Sequence, residues 1–359
     1  MKLIEIFDLR TIIRTLGLLE FNRRVLDTLE NHFTRWNEFQ KTSRHATDFE
    51  NGVIELMPCS DRRYYAFKYV NGHPFNTLRG KLSIVAFGVL ADADSGYPLL
   101  ISEMTLLTAF RTAGTAALAA KYLAKPDSKV LAMIGTGAQA EFQFNALRDI
   151  FPLQVVRFHD TDKRAMQRFG DYLRLNTNIR QKKCLSAVEV VSDADIIVTA
   201  TADRRPARLF GPECVRPGVH INALGGDCPG KTEIDPELLG KSKLVVEFLD
   251  QTSHEGEIQN LENPLVYAEL WELVSGHKPG RETEYEITLF DSVGFALEDF
   301  AMLKLIYDLA DEMDLGRKID LIPEPGDPKN LFGILDLPNS ADKRSAINLK
   351  VRRSRSKRG

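Results

Sequence analysis

From about Asp8 to Lys41, apolar residues return at intervals of three and four, as in Leu26, Leu29, Phe33 and Trp36, which predicts helix. The period then drops to two. GVIELMPC, YYAFKYV and SIVAFGVLAD read as strands, and ADADSGYPLLIS adds a turn at Ser95–Gly96 and a returning strand. No helical pattern separates them, so they predict a largely antiparallel sheet. MTLLTAFRTAGTAALAA, Met104 to Ala120, reads as a helix of small and apolar residues whose only charge is Arg111.

Beyond Pro126 the pattern changes again. Short apolar runs, VLAMI (130–134), LQVVRFHD (153–160), ADIIVTATAD (194–203), VHINALGGD (219–227), KLVVEFLD (243–250) and EITLFD (286–291), alternate mostly with helical or loop segments. That alternation predicts βαβ units and a parallel sheet covered on both faces. A long amphipathic helix follows from Ser292, with Ser292 as its N-cap. The expected fold class is α/β: a Rossmann-type dinucleotide-binding domain over 119–314, plus an α+β domain with an antiparallel sheet. The latter is built from 1–118 and a returning segment, 315–345. Residues 346–359 form a basic tail expected to be disordered.

Composition narrows the function classes. The net charge of −3 over 359 residues gives no global field for nucleic acid or an anionic membrane. No run reaches the 18 or so apolar residues of a membrane span, and MKLIEIFDLR is too charged for a signal-peptide core. Cys59, Cys184, Cys214 and Cys228 form no CxxC pair, so neither a metal site nor a disulfide framework is expected, and a cytoplasmic location is.

GTGAQA, Gly135 to Ala140, follows strand VLAMI and precedes a helix-compatible run. In a dinucleotide fingerprint Gly135 makes the tight turn and Gly137 admits the pyrophosphate at the helix N-terminus. Asp160 ends the next strand, where a carboxylate binds the ribose hydroxyls and repels a 2′-phosphate, so the cofactor expected is NAD. HDTD supplies no cation to offset that repulsion, and Asp162 lies past the strand end. Thr201 stands where the sheet's carboxyl edge would face a cofactor, or else caps the next segment.

Three cations and one carboxylate are left. Lys68 interrupts a strand with two mostly apolar faces, either as a functional cation or as an edge lysine that discourages aggregation. Arg111, if buried, requires a carboxylate partner, from the protein or from a ligand. Arg44, in KTSRHATDF, reads on its own as a surface residue. Arg and Lys together suit a substrate carboxylate. Asp227 follows the fourth strand of the nucleotide domain and suits a substrate amine, while Gly225 and Gly226 would let the backbone pass a nicotinamide. A plain turn is the alternative for this GGD.

GVIELMP, AFKYVNGHP, FGVLADADSGYP, FRTAGTAA, GTGAQAEFQ, HDTD, TATAD, ALGGDCPGKTE, EGEIQ and FDSVGFALED together resemble the ornithine cyclodeaminase/μ-crystallin family, from about Leu9 to Phe332. Within it they are closer to the cyclodeaminases than to the ketimine reductases or crystallins. The resemblance implies a homodimer joined through the antiparallel sheets, with L-ornithine as substrate. It implies that Arg44, Lys68 and Arg111 bind the substrate carboxylate, that Val293 touches substrate and that Asp227 is the acid/base. Ser83, Arg111, Ala138, Gln139, Asp160, Thr201, Leu224 to Asp227, Lys231 and Ser292 would contact NAD. Ser83 stands where a threonine is more usual. The implied chemistry is hydride abstraction from Cα, ring closure by the δ-amine, ammonia loss and hydride return, giving L-proline. Lysine cyclodeaminase, ketimine reductase and a nucleotide-dependent binding protein are the alternative readings.

Overall fold

The computed structural model describes residues 1–202 and 206–336, and Lys2–Arg317 form one compact unit. Met1 and the described residues from Lys318 onward form a second, small unit, in which Ile319 N donates to Met1 O at 3.0 Å. The expected basic tail, residues 337–345 of the returning segment, and Asp203 lie outside the described residues.

In chain order, the first half of the large unit holds β1 (Lys2–Ile4), α1 (Ile6–Leu16), α2 (Leu18–Thr34), β2 (Gln40–Lys41), β3 (His45–Phe49), β4 (Gly52–Ser60), β5 (Tyr64–Gly72), β6 (Ile84–Asp92) and β7 (Pro98–Glu103). The helical pattern from about Asp8 to Lys41 corresponds to two helices, α1 and α2. Gly17 takes φ 79° and ψ 152°, which breaks the hydrogen-bond ladder between α1 and α2, and α2 stops at Thr34. The strands pair in the order β1-β7-β6-β5-β4-β2, with β3 also on β4, and every pair except β1–β7 is antiparallel. Alternation sets the two faces of the central strand. Tyr64, Ala66, Lys68 and Val70 are buried, while Tyr65, Phe67 and Tyr69 point the other way.

α3 (Thr105–Leu123) then leads into β8 (Val130–Ile134), α4 (Ala140–Arg148), β9 (Val155–His159), α5 (Lys163–Asn176), β10 (Arg180–Lys183), α6 (Ala187–Val191), β11 (Ile196–Thr199) and β12 (His220–Ala223). α7 (Pro236–Lys241), β13 (Ser242–Val246), α8 (Leu249–Glu255), β14 (Val266–Glu269), α9 (Leu270–Val274), β15 (Ile287–Asp291) and α10 (Ala296–Glu312) complete it. The second sheet is wholly parallel, in the order β10-β9-β8-β11-β12-β15-β13-β14. Its strand order reverses between β8 and β11, the switch point where open α/β sheets bind ligands at their carboxyl ends.

α10 differs from expectation in two ways. It starts at Ala296 rather than Ser292, because Gly294 at φ 79° holds the preceding residues out of the helix. It is also buried almost all round rather than amphipathic, Glu298 and Asp299 included, since it lies between the inner face of the antiparallel sheet and α2 and α3. Gly88 on β6 makes room for it, because a Cβ there would lie 2.9 Å from Leu303 Cδ1.

Candidate active site

The turn after β8 has the backbone a fingerprint needs. Gly135 is at φ 93°, and a Cβ there would meet Ala200 O at 2.3 Å. Gly137 faces open space, with nothing within 4 Å of a Cβ position. Ala138 is exposed, and Gln139 is the N-cap residue of α4. Asp160, just past β9, reaches back to this turn. Its Oδ2 accepts from Thr136 N at 2.6 Å and Thr136 Oγ1 at 2.9 Å, and its Oδ1 accepts from Asp162 N at 2.8 Å. A cation that HDTD did not reveal also lies here: Arg168 Nη2 donates to Thr136 O and Gly137 O, at 2.7 and 2.9 Å. α5 brings it back to the loop. Its charge is shared with Glu141, whose Oε1 is 3.1 Å from Nε.

The three cations have very different surroundings from those a strand edge or a surface would give. Lys68 sits on β5, a central strand, with 1% exposure, so the edge-lysine reading fails. Its Nζ donates to Asp299 Oδ1 at 2.8 Å. Burial, reinforced by the nearby Arg111 charge, pulls its pKa down to about 8. Arg111 takes the protein-carboxylate alternative: Nη1 donates to Glu298 Oε2 at 3.0 Å and Nε to Asp299 Oδ1 at 3.2 Å. Its Nη2 has no hydrogen-bond partner among the described residues. Gly294 is required beside it, because a Cβ there would lie 2.3 Å from Arg111 Nη1.

Arg44 is not on the surface; its side chain is 7% exposed. Nη1 donates to Glu55 Oε1 and Oε2 at 3.1 and 3.2 Å, and Nη2 to Val293 O and Gly294 O, both at 2.7 Å. Nε faces Glu255 Oε2 at 3.0 Å, close enough for an ion pair but misaligned for a hydrogen bond. Both terminal nitrogens of Arg44 therefore already meet protein acceptors, while its Nε proton has no hydrogen-bond partner among the described residues. In this arrangement Arg44 ties β4, α8 and the 293–294 turn together.

Sequence reasoning missed the carboxylates that answer these cations. Glu55, Glu247, Glu255, Glu298 and Asp299 are all buried. Glu247 accepts from Ser292 Oγ at 2.7 Å, Val293 N at 2.9 Å and Gly294 N at 2.7 Å. Ser292 thus anchors a turn and does not cap α10. Burial first, then the neighbouring Glu247 charge, raises the Glu298 pKa well above the carboxylate range, against the pull of Arg111. Burial also pushes Glu255 up to about 7, against the pull of Arg44. The signal available in sequence was the pair of acids in ALEDF, inside a run otherwise fit for a core.

Asp227 lies on the loop after β12, its side chain 45% exposed, with Lys231 Nζ donating to its Oδ1 at 3.1 Å. Lys231 is itself buried. The two glycines before Asp227 have another reason than passage of a cofactor. The Cβ position of Gly225 lies 1.8 Å from Glu233 Oε2, and that of Gly226 lies 2.5 Å from Glu257 Oε1. Two buried carboxyl groups fill the space that side chains would need. Glu233 also accepts from Thr201 N at 3.0 Å and from the Thr201 hydroxyl, which fixes Thr201 at the carboxyl edge of the sheet. Leu224 and Val293 are buried. Ser83 stands apart, just before β6; its carbonyl accepts from His73 N at 2.8 Å, and no described side-chain contact joins it to the other residues. No cluster of metal-ligating side chains occurs among the described residues.

A glycine turn at the switch point of a parallel sheet, beside a buried ionic cluster, defines a Rossmann-type α/β protein. The chain belongs to the ornithine cyclodeaminase/mu-crystallin family, whose model matches residues 8–314. It is 47% identical over 319 residues to an ornithine cyclodeaminase of Agrobacterium fabrum, covering 89% of this chain and 90% of that one. Among solved structures it resembles a lysine cyclodeaminase studied for recognition of L-lysine, L-ornithine and L-2,4-diaminobutyric acid (TM-score 0.85, 29% identity, 92% and 98% covered). It also resembles the Δ1-pyrroline-2-carboxylate reductase of Thermococcus litoralis in complex with NADH and L-proline (TM-score 0.82, 32% identity, 89% and 100% covered).

Proposed function

We propose that this protein is an NAD-dependent ornithine cyclodeaminase, converting L-ornithine to L-proline and ammonia. The observation that carries the reading is the position of Asp227. It is a carboxylate open to solvent at the sheet's carboxyl edge, whereas Glu55 and Glu255 nearby are buried. A proton acceptor that must exchange with substrate and water needs that access. The similarity to ornithine cyclodeaminases across about nine-tenths of the chain supports the substrate.

The residues present fit NAD. Gly135 makes the tight turn against Ala200, Gly137 leaves the backbone open to a pyrophosphate, and Asp160 places a carboxylate where a ribose would bind. Bound NAD would supply the redox chemistry, as acceptor of a hydride from the substrate Cα and its donor to the cyclic imine. The chain supplies orientation and proton transfer. Arg111, through Nη2, and Lys68 hold the substrate carboxylate, and Arg44 fixes the turn at Val293 against which the substrate lies. Asp227 accepts a proton from the δ-ammonium, freeing that amine to close the ring, and Lys231, whose Nζ donates to Asp227 Oδ1, holds that carboxylate in place.

Residues 1–118 with 315–345 are assigned to substrate binding and dimerisation, and 119–314 to NAD. The outer face of the antiparallel sheet supports a homodimer. Leu56, Tyr69 and Phe87 are aligned across β4, β5 and β6; Leu56 and Phe87 are exposed and Tyr69 is half-buried, with the Tyr69 and Phe87 rings stacked at 5.1 Å. No helix among the described residues is long and apolar enough to cross a membrane, which accords with a cytoplasmic enzyme. Incubation with L-ornithine and catalytic NAD should yield proline and ammonia in equal amounts without accumulation of NADH. Stoichiometric NADH would mark a dehydrogenase instead, and binding without turnover would mark a binding protein.

A further inference from the structure

EGEIQ, Glu255 to Gln259, has no part in the chemistry above, yet its side chains reach across to the loop that carries Asp227. Gln259 is the hub. Its Oε1 accepts from Gly230 N at 2.6 Å, and its Nε2 lies 3.3 Å from Cys228 O and 3.0 Å from Lys231 O. The same amide nitrogen turns back to Glu255 O and Gly256 O, at 3.2 and 2.8 Å. Glu257 holds the far end of the loop, accepting from Glu233 N at 2.8 Å and Ile234 N at 2.9 Å. The segment is anchored in turn on the parallel sheet, where Asp291 at the end of β15 accepts from Ile258 N at 3.2 Å. A Cβ at Gly256 would meet that carboxylate at 2.6 Å.

The loop itself needs such support. Between Asp227 and Lys231 it has no helix or strand, and Gly230 is at φ 81°. Within it Lys231 N donates to Cys228 O at 3.2 Å, and the Gln259 side chain holds the turn from outside. Gln259 binds the donor at Gly230 and the acceptors at Cys228 and Lys231 that flank it, so it fixes the turn's width as well as its position. The Asp227 carboxylate and its Lys231 partner stand at the two ends of that turn.

We infer that Gln259 is a positioning residue for Asp227, and that residues 255–259 act as a strap setting where the acid/base stands. The inference rests on the assignment of Asp227 in the proposed reaction. A carboxylate displaced by an ångström loses much of its effect on rate while the binding of substrate and cofactor elsewhere is preserved.

The test uses the full-length protein and two variants, Gln259→Met, which keeps the length and removes both polar atoms, and Gln259→Asn, which cannot span the turn. Gln259→Met should lower kcat for ornithine by about 10- to 100-fold. The KM for ornithine and the Kd for NAD should stay within about threefold, since Lys68, Arg111 and the glycine turn are untouched. In the Asp227→Asn background the same substitution should cost less than about twofold, because a residue that acts through another loses its effect when that one is removed. Full additivity, or a kcat within about twofold of the parent in both single variants, overturns the proposal. Hydrogen–deuterium exchange on the protein without substrate provides a readout independent of turnover. Amides 228–234 should exchange at least about tenfold faster in either variant, and unchanged protection there overturns the strap. If the parent itself makes no proline, the proposed reaction fails while the exchange result still decides the strap.

Discussion

Asp227 and Arg111 lead to opposite expectations on substitution. Asp227→Asn keeps the size of a half-exposed side chain, so the fold and NAD binding should persist while proline formation falls by roughly 10²–10⁴. Activity above about a tenth of the parent would return Asp227 to the turn residues. Arg111→Ala would leave Asp299 and Glu298 buried beside an empty space, a loss of about 3–5 kcal/mol that thermal unfolding would register as a lower Tm. Arg111→Lys should restore much of that stability and still raise the KM for ornithine, since Lys lacks the guanidinium fork. Lys68 adds a pH dependence. Its pKa of about 8 leaves it charged at neutral pH, so the KM for ornithine should rise as pH passes that value. A Lys68→Met variant, impaired throughout, should lack that inflection. If the two profiles coincide, Lys68 plays no part in holding the carboxylate.

Among the elements, β12 carries a buried group whose protonation the fold opposes. His220 lies between Thr288 Oγ1 and Asn222 Oδ1, each 3.0 Å away, and burial drives its pKa down to about 3. A depressed pKa contributes stability that is present above the unfolded value of 6.5 and lost as pH falls toward 3. Between pH 7 and 5 that loss is about 2 kcal/mol. Glu257 works in the opposite sense: burial raises its pKa to about 7, so its contribution is present below its unfolded value and lost as pH rises through 7. The two contributions therefore oppose each other as the pH changes. A His220→Gln variant should be less sensitive to acidification from pH 7 to 5 by about the His220 share, as chemical denaturation at the two pH values would show. Much of this layer was legible. Runs such as VLAMI have one reading only, a short apolar strand between turn signals, and β8 spans those same residues. β3 and β10 were not legible because HATDF and RQKK are exposed along their length and carry no alternation. The roles of Gly225 and Gly226 were hidden for another reason. The carboxylates they accommodate come from Glu233 and Glu257, and no local pattern links a glycine to a side chain many residues away.

For the whole molecule, the outer face of the antiparallel sheet is where the proposed dimer is tested. Replacing Phe87 by Glu should convert a dimer to a monomer in light-scattering measurements, because it puts a charge into the exposed Leu56–Tyr69–Phe87 band, against the Tyr69 ring. A parent that is already monomeric would remove the interface from that face. NAD should raise the Tm of the parent in proportion to the logarithm of its concentration, and NADP should do so far less. Equal stabilisation by both would show that Arg168, which lies on the glycine turn, offsets the repulsion expected from Asp160.

β5 places Lys68 among the buried charges and Phe67 and Tyr69 on the opposite side. Two unrelated requirements are thus written on alternate residues of one strand. A slip of a single residue would bring two aromatic rings into the ionic cluster and turn an ammonium group out to the apolar band. The strand can mispair without losing its overall hydrophobicity, but every such misfolded form would lose the site and the partner surface together. Catalytic competence and assembly should then recover as one event on refolding from denaturant, with no population that has regained one and not the other.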